Sequence, residues 1–253
     1  MSVDLHTHPI AHGTGSYKKE FLLGFVHKAK EKGIQHLGFT DHDRYLELID
    51  FTVGEKLKED NAGVQIYLGL EVDYSPEKEH EIKERLIKYP LDYVIGSVHR
   101  IGDWACDIPE QKDRYAEWDV DQLYDSYFQL LMQAASSDLF QIIGHLDLIK
   151  IFNYRPKRDI FHWVEPCLRV IQEHDLTVEV NAAGLYKPVG EIYPEERIIK
   201  RCFELNIPVT ISSDAHEAKQ VGRINKDLQE LLKKIGYKEV AVFKGQTRRM
   251  LPL

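Results

Sequence analysis

Histidine and carboxylate residues recur in this chain at the ends of short apolar runs, and that recurrence points to metal chemistry. The segments are Asp4-Leu5-His6-Thr7-His8, Thr40-Asp41-His42, Gly69-Leu70-Glu71, Ser97-Val98-His99, Gly144-His145 and Ser213-Asp214-Ala215-His216. Imidazole and carboxylate together are the usual protein ligands of Zn²⁺, Mn²⁺ and Fe²⁺. One histidine at a strand end is more often a hydrogen-bonded structural residue than a ligand. The set carries the inference. Side chains on a strand alternate with period two, so His6 and His8 face the same side and can grip one ion. With His12, these endings hold seven of the 12 histidines; His27, His36, His80, His162 and His174 fall on helices or edges and read as structural or exposed.

Such endings meet only if the runs are neighbouring strands. Apolar, β-branched runs at 2–6, 35–40, 65–71, 93–98, 141–145, 177–180 and 208–212 alternate with amphipathic stretches. That alternation predicts repeated βα units around a parallel sheet, with strands buried on both faces. Helical spacing of Phe21, Leu22, Phe25, Val26 and Ala29 predicts a helix over 17–32, and Leu123, Tyr124, Tyr127, Leu130, Leu131 and Ala134 predict another over 121–136. Those stripes are read as core. A third helix is predicted over 194–205, where Glu195 and Glu196 suit the positive end of the helix dipole. At 253 residues and 43% hydrophobic content, the chain is long enough for one α/β barrel domain spanning 1–253. In that fold the C-terminal strand ends form a common mouth, where catalytic residues gather. Segment 100–120, rich in charge and aromatics, breaks the rhythm and reads as a loop insertion, either a substrate-contacting lid or a packed surface loop. At the far end, 240–243 reads as an extra strand followed by a basic tail with Arg248 and Arg249.

The bulk charge narrows the function. A formal net charge of −8, from 33 basic and 41 acidic residues, disfavours sequence-independent binding to a nucleic acid backbone. Cys106, Cys167 and Cys202 are odd in number, widely spaced and free of CxxC pairing, which argues against a disulfide framework or a thiolate zinc site. The opening MSVDLHTHPI has no basic, apolar leader, and no stretch approaches the ~20 apolar residues of a membrane span. The expectation is a cytoplasmic protein with no membrane partner.

Taken in order, DLHTH at 4–8, TDH at 40–42, GLEVD at 69–73, GSVH at 96–99, IGHLDLIK at 143–150, EVNAAGLYKPVGEIYP at 179–194 and SSDAH at 212–216 cover almost the whole chain. This pattern resembles the polymerase and histidinol phosphatase (PHP) family, in particular its free-standing histidinol-phosphate phosphatase branch. The resemblance implies a distorted (β/α)7 TIM-like barrel with a trinuclear site of divalent ions, Zn, Mn or Fe. Carried over by position, it implies His6, His8, Glu71 and Asp214 on the first metal, with Glu71 bridging. Glu71, His99 and His145 would hold the second, and His12, His42 and His216 the third. Asp4 and Asp41, beside ligands, read as groups that orient imidazoles or loops.

A cluster of divalent ions serves phosphate ester hydrolysis by generating hydroxide near neutral pH and by neutralising phosphoryl oxygens. The resemblance therefore implies hydrolysis of L-histidinol phosphate in histidine biosynthesis, with a metal-bridging hydroxide as nucleophile. Asp214, His216 or a metal-bound water are candidates to serve the leaving alkoxide. A phosphomonoester carries about two negative charges, so basic side chains are expected nearby, with Arg155, Arg158 and Lys187 as the candidates. Where the branch often carries a basic residue directly after Gly-Leu, this chain has Tyr186 and then Lys187. An amino alcohol phosphate also needs a carboxylate or aromatic partner, for which Asp107, Glu110, Trp104 and Tyr186 are placed. The same ligand set would serve a relative acting on a nucleotide, a phosphodiester or phosphotyrosine, or a metal-binding module without activity. Oligomeric state leaves no mark in the sequence.

Overall fold

Valine, isoleucine and leucine in runs too short for helices, each closed by polar residues, give strands buried on both sides. The computed structural model describes residues 1–60 and 63–253. Four strands come first: β1 (Val3–Asp4), β2 (His36–Phe39), β3 (Gln65–Asp73) and β4 (Tyr93–Ser97). A small antiparallel hairpin of β5 (Arg100–Ile101) and β6 (Trp104–Ala105) follows. Then come β7 (Ile142–Ile143), β8 (Thr177–Asn181) and β9 (Val209–Ser212). A last antiparallel hairpin joins β10 (Glu239–Lys244) to β11 (Thr247–Pro252).

The main sheet has the order β1-β2-β3-β4-β7-β8-β9, and every neighbouring pair is parallel. Beyond the ends of β1 and β9 the chain closes the circle: Leu5 N donates to Ile211 O at 3.1 Å, and Thr7 bridges Ala215 in parallel. The seven expected runs are thus the seven staves of a nearly closed barrel. Around them lie α1 (Lys19–Lys32), α2 (Phe51–Glu59), α3 (Glu79–Leu86), α4 (Val120–Ser136), α5 (Phe161–Glu173), α6 (Glu196–Glu204) and α7 (Asn225–Ile235). α4 begins with an Asp119 cap whose carboxylate accepts from Asp121 N and Gln122 N, and it buries the predicted Leu123, Tyr124, Tyr127 and Leu131. Inside the barrel, the Tyr93 hydroxyl donates to Leu5 O at 2.6 Å. Any Cβ at Gly38 would run into that hydroxyl, which is why glycine stands there.

Two expectations needed completing. Segment 100–120 is packed as well as rim-forming. Trp104, Cys106 and Tyr115 are fully buried, and the Tyr115 hydroxyl lies 2.9 Å from Cys106 O and 3.0 Å from Ile149 O. Its aromatics, which made it look like surface loop chemistry, are the anchor that fixes it to the barrel. The C-terminal segment expected as a basic tail is strand β11, because Arg248 and Arg249 take the registers opposite Phe243 and Val242. This final hairpin crosses the N-terminal ends of the staves: Gln246 N donates to Asp92 O at 2.7 Å, just before β4, and Arg248 Nη1 to Asp175 O at 2.6 Å, just before β8. It plugs the barrel floor. Among the described residues, no helix is long and apolar enough to cross a membrane.

Candidate metal centre

At the opposite end each stave delivers side chains into one buried space. β3 carries Glu71 into its centre, where the residue is 1% exposed. Five imidazoles surround its carboxylate. His42 Nδ1 lies 2.9 Å from Oε2 and His145 Nε2 3.0 Å from Oε1, with His6 Nε2 at 3.3 Å and His8 and His99 Nε2 each at 3.5 Å. From the loop after β9, Asp214 Oδ1 sits 3.2 Å from His8 Nε2 and 4.0 Å from His6 Nε2. The H-x-H parity is visible here, since His6 and His8 turn to the same two carboxylates.

Three groups of these side chains bring ligand atoms within 4.8 Å of one another: His6, His8 and Glu71; Glu71, His99 and His145; and His8, His42 and His216. The first two match the groupings expected from the sequence, with Asp214 against the first. The third takes His8 where His12 was expected. His12 stacks on His216 and His42, with ring centroids at 4.4 and 5.2 Å, but Arg44 Nη2 donates to its Nδ1 at 2.9 Å. That bond leaves the neutral ring's proton on Nε2, so His12 would join a metal only after Arg44 turns away.

A metal fits this donor set on a physical ground. Among the described residues, eight buried imidazole nitrogens, on His6, His8, His42, His99, His145 and His216, have no hydrogen-bond partner. Each such group costs about 1–3 kcal/mol if left alone, so a site holding this many is shaped for something that takes lone pairs. The electrostatics show how strongly the buried carboxylates call for positive charge: burial disfavours charge on His6 and His99, yet Glu179 and Glu71 raise His6 well above an ordinary histidine, and Glu71 with Asp73 raises His99 to about 10. Burial opposes ionisation of Glu71 and Asp214, yet the facing histidines hold both carboxyls well below the usual range. Burial, with His216 and His42 beside it, holds His8 well below an ordinary histidine and therefore neutral. Burial and the same two neighbours hold His12 down to about 4.

Glu179, which sequence reading passed over, organises this centre from behind. It is fully buried on β8; its Oε1 lies 2.5 Å from His6 Nδ1 and accepts from Ser212 Oγ, and its Oε2 accepts from His145 N at 2.6 Å. By accepting a hydrogen bond from Nδ1–H it turns the Nε2 lone pair of His6 toward Glu71 and Asp214. The only signal was a carboxylate amid the valines of Thr177-Val178-Glu179-Val180, where a buried charge needs a partner. Asp73 does similar service for His99, accepting its backbone N–H at 3.1 Å with Nδ1 at 3.5 Å. Asp4 and Asp41 hold loops and no imidazole: Asp4 accepts from Ser213 N, Ser213 Oγ and Gly222 N, and Asp41 from Ile10 N.

The three basic candidates separate. Lys187 lines the centre's cavity together with His12, His99 and Asp107. Arg155 is drawn into an ion pair with Glu191 at 2.7 Å, and Lys150, fully buried, holds the same Glu191 at 3.2 Å together with Asp147 at 2.8 Å. These two cations clamp the loop that presents Lys187. Arg158 is 64% exposed on its side chain and faces Asp121 and His162 near the start of α4 and α5, away from the cavity. Spacing cannot reveal such assignments, because Glu191 lies 36 residues beyond Arg155. Of the possible contacts for an organic group, Trp104 is buried with its Nε1 on Gln111 O, and Tyr186 lies under the Arg223 guanidinium; Asp107 faces the cavity.

A nearly closed parallel barrel whose strand ends bring imidazoles and carboxylates together defines the class of barrels that bind divalent metal at the C-terminal mouth. Residues 4–183 match the PHP domain, and the chain belongs to that family. It is 33% identical to a probable histidinol-phosphatase of Deinococcus radiodurans, over 98% of this chain and 97% of the relative. It is 29% identical to the histidinol-phosphatase of Bacillus subtilis, over 86% of this chain and 94% of that one. The fold is shared with the histidinol phosphate phosphatase of Lactococcus lactis, solved with zinc, L-histidinol and phosphate, at a TM-score of 0.78 and 22% identity over 98% of each chain.

Proposed function

We propose that this protein is a metal-dependent phosphomonoesterase that converts L-histidinol phosphate and water to L-histidinol and phosphate, using three divalent ions. The observation that carries the reading is the single carboxylate of Glu71 shared by five imidazoles, each of which leaves a buried ring nitrogen without a hydrogen-bond partner among the described residues. Full-length likeness to the Deinococcus relative supports the substrate. His6, His8, Glu71 and Asp214 would hold one ion, Glu71, His99 and His145 a second, and His42 and His216 a third, with His8 or His12 completing it. When bound, the ions supply a nucleophile from water near neutral pH and neutralise charge on the phosphoryl oxygens.

The chain's own groups do the rest. Glu71 and Asp214 stay ionised and keep the ligand atoms fixed. His216 Nδ1 lies 3.1 Å from Asp214 O, which places its proton there and turns Nε2 inward as a lone pair. His216 is therefore a ligand and not the proton donor to the leaving alkoxide, and ionised Asp214 is likewise a ligand. Lys187 offers its ammonium to the phosphoryl oxygens from the rim. The ester P–O bond breaks, a P–O bond to the water oxygen forms, and the proton that the attacking water gives up to solvent is balanced by one that the alkoxide takes from solvent. This reading carries a cytoplasmic setting and a small-molecule partner. It is tested by phosphate release from L-histidinol phosphate by EDTA-stripped protein reloaded with Zn²⁺, Mn²⁺ or Fe²⁺, beside nucleotide, dinucleotide and phosphotyrosine esters. Metal-dependent turnover favouring histidinol phosphate is expected. A preference for another ester overturns the substrate, and silence on all of them in a metal-loaded protein overturns the activity.

A further inference from the structure

β1, β2, β3, β4, β7 and β9 each bring candidate ligands to the mouth, and among the described residues β8 brings none. The chain after β8 instead forms an arch, 182–192, that carries Lys187 to the rim and returns to the barrel. Its two feet are paired: Asn181 N donates to Tyr193 O at 2.6 Å and Tyr193 N to Asn181 O at 3.0 Å. Its two limbs also touch, since a Cβ at Gly184 would collide with Glu191 O and with the Tyr193 ring. Lys187 itself is exposed, and among the described residues its ammonium has no hydrogen-bond or ion-pair partner. The backbone of the arch alone therefore aims that charge at the cavity.

The returning limb is fastened by a group for which the reaction has no use. Lys150 is fully buried, and its ammonium lies 2.8 Å from Asp147 Oδ2, 2.9 Å from Ile192 O and 3.2 Å from Glu191 Oε2. An ammonium has three N–H donors, so these acceptors complete it. Asp147, also fully buried, accepts from Glu195 N at 2.9 Å through the same Oδ2. The pair thus holds the chain at 191, 192 and 195. Its own turn is fixed in place by the Tyr115 hydroxyl, 3.0 Å from Ile149 O. Apolar residues of similar size would stabilise such a site as well as a buried ion pair does, so stability alone does not account for these charges.

We infer that Lys150, held by Asp147, is a positioning residue: it fixes the arch so that the Lys187 ammonium meets the phosphoryl group at the metal centre. The inference rests on the phosphatase reading and deepens it, by separating anion binding from metal binding. No candidate metal ligand lies on the arch, so loosening it should weaken the first and leave the second unchanged.

Lys150→Met alone would strand the Asp147 carboxylate without its cation, so the test uses Asp147→Asn/Lys150→Met, in which both buried charges are gone. The probe is inorganic phosphate, titrated calorimetrically into metal-loaded protein with Lys187 present or replaced. Lys187→Ala and Asp147→Asn/Lys150→Met should each weaken phosphate binding about tenfold, the scale of one hydrogen bond to a charged group. Combined, they should weaken it little more than either does alone, because both remove the same contact. On L-histidinol phosphate the paired variant should raise KM about tenfold with kcat nearly unmoved, and the metal affinity of the stripped protein should equal that of wild type. Unchanged phosphate binding overturns the inference, as do effects that multiply in the combined variant, loss of metal, or a wild type that binds no phosphate. A lower Tm and kcat at unchanged KM marks a merely structural pair and overturns it too. Lys150→Gln, which keeps a donor for Ile192 O, should shift phosphate affinity in the same direction by less, and it carries the comparison if the paired variant does not fold. If no ester is turned over by wild type, the phosphatase reading falls, while weaker phosphate binding in the variant still supports Lys150 and equal binding overturns it.

Discussion

At the C-terminal mouth the chain buries eight imidazole nitrogens without hydrogen-bond partners, whereas at the N-terminal floor β10 buries Val240, Ala241, Val242 and Phe243 in a fully registered hairpin with β11. Asp92, a buried charge at the floor, is satisfied by Leu68 N, Gly245 N and the Lys58 ammonium. At the mouth, by contrast, side chains displace backbone pairing: β7 is only two residues long, and His145 N donates to the Glu179 carboxylate in place of a strand carbonyl. The difference teaches where stability and chemistry are kept apart. The floor contributes burial and completed hydrogen bonds. The mouth stores unsatisfied donors that a metal would complete.

The largest effect should come from breaking the mouth at its centre. Glu71→Ala removes the one carboxylate common to two of the ligand groups. Bound metal, measured by elemental analysis after reloading, and phosphatase activity should fall together by more than about a hundredfold, beyond the loss expected for an outer partner of a ligand. Full metal content with full activity would sink the assignment. The sharper half of the comparison is that EDTA should lower the Tm of wild type and leave that of Glu71→Ala unmoved, because a ligand stabilises only a protein that binds it.

The floor should respond in the opposite sense. Phe243 is 2% exposed, with its ring 5.7 Å from that of Tyr93, so Phe243→Ala opens a cavity at the base of the barrel. Stability should drop by about 3–5 kcal/mol, or roughly 10 °C in Tm, while metal stoichiometry at low temperature stays at the wild-type value. A variant that loses metal as readily as stability would mean that floor and mouth form one cooperative unit.

Sequence reading reached these two ends unequally. The staves and most side chains that meet at the mouth were legible because each signal is local: an apolar run followed at once by histidine or carboxylate, with parity placing His6 beside His8. His12 was harder, since its role turns on Arg44, 32 residues away, and on a left-handed turn at φ 56° that no periodicity encodes. Arg155 was read as a phosphate partner from charge alone, and only the folded chain shows Glu191 taking it. Of the floor hairpin, 240–243 was legible as a strand and its partner was not, because a strand carrying Arg248 and Arg249 looks like a solvated tail; Arg248 pairs with Asp175, 73 residues away, and Arg249 is exposed. Distant pairing is the common cause in all three cases.

Glu179 gives the smallest and most discriminating effect, because it touches the mouth without lining it. Burial opposes its ionisation, yet the ion pair and hydrogen bond with His6 hold its carboxyl below the usual range. Glu179→Gln keeps the size and an acceptor oxygen for His145 N, and its amide N–H can donate to Ser212 Oγ in place of the bond that hydroxyl now gives, so the links across β7, β8 and β9 are kept. It removes the negative charge behind His6 and allows an amide N–H to face Nδ1, which would move the ring proton to Nε2 and turn the wrong nitrogen inward. Metal affinity, measured by calorimetric titration of the stripped protein, should therefore fall about 10- to 100-fold while the Tm of the stripped protein changes little. A merely structural Glu179 would give the reverse, a lower Tm at unchanged affinity. Glu179→Asp tests the same point from the other side: it restores the charge but shortens the reach to His6, and it should recover part of the affinity if charge behind the imidazole is what the site requires.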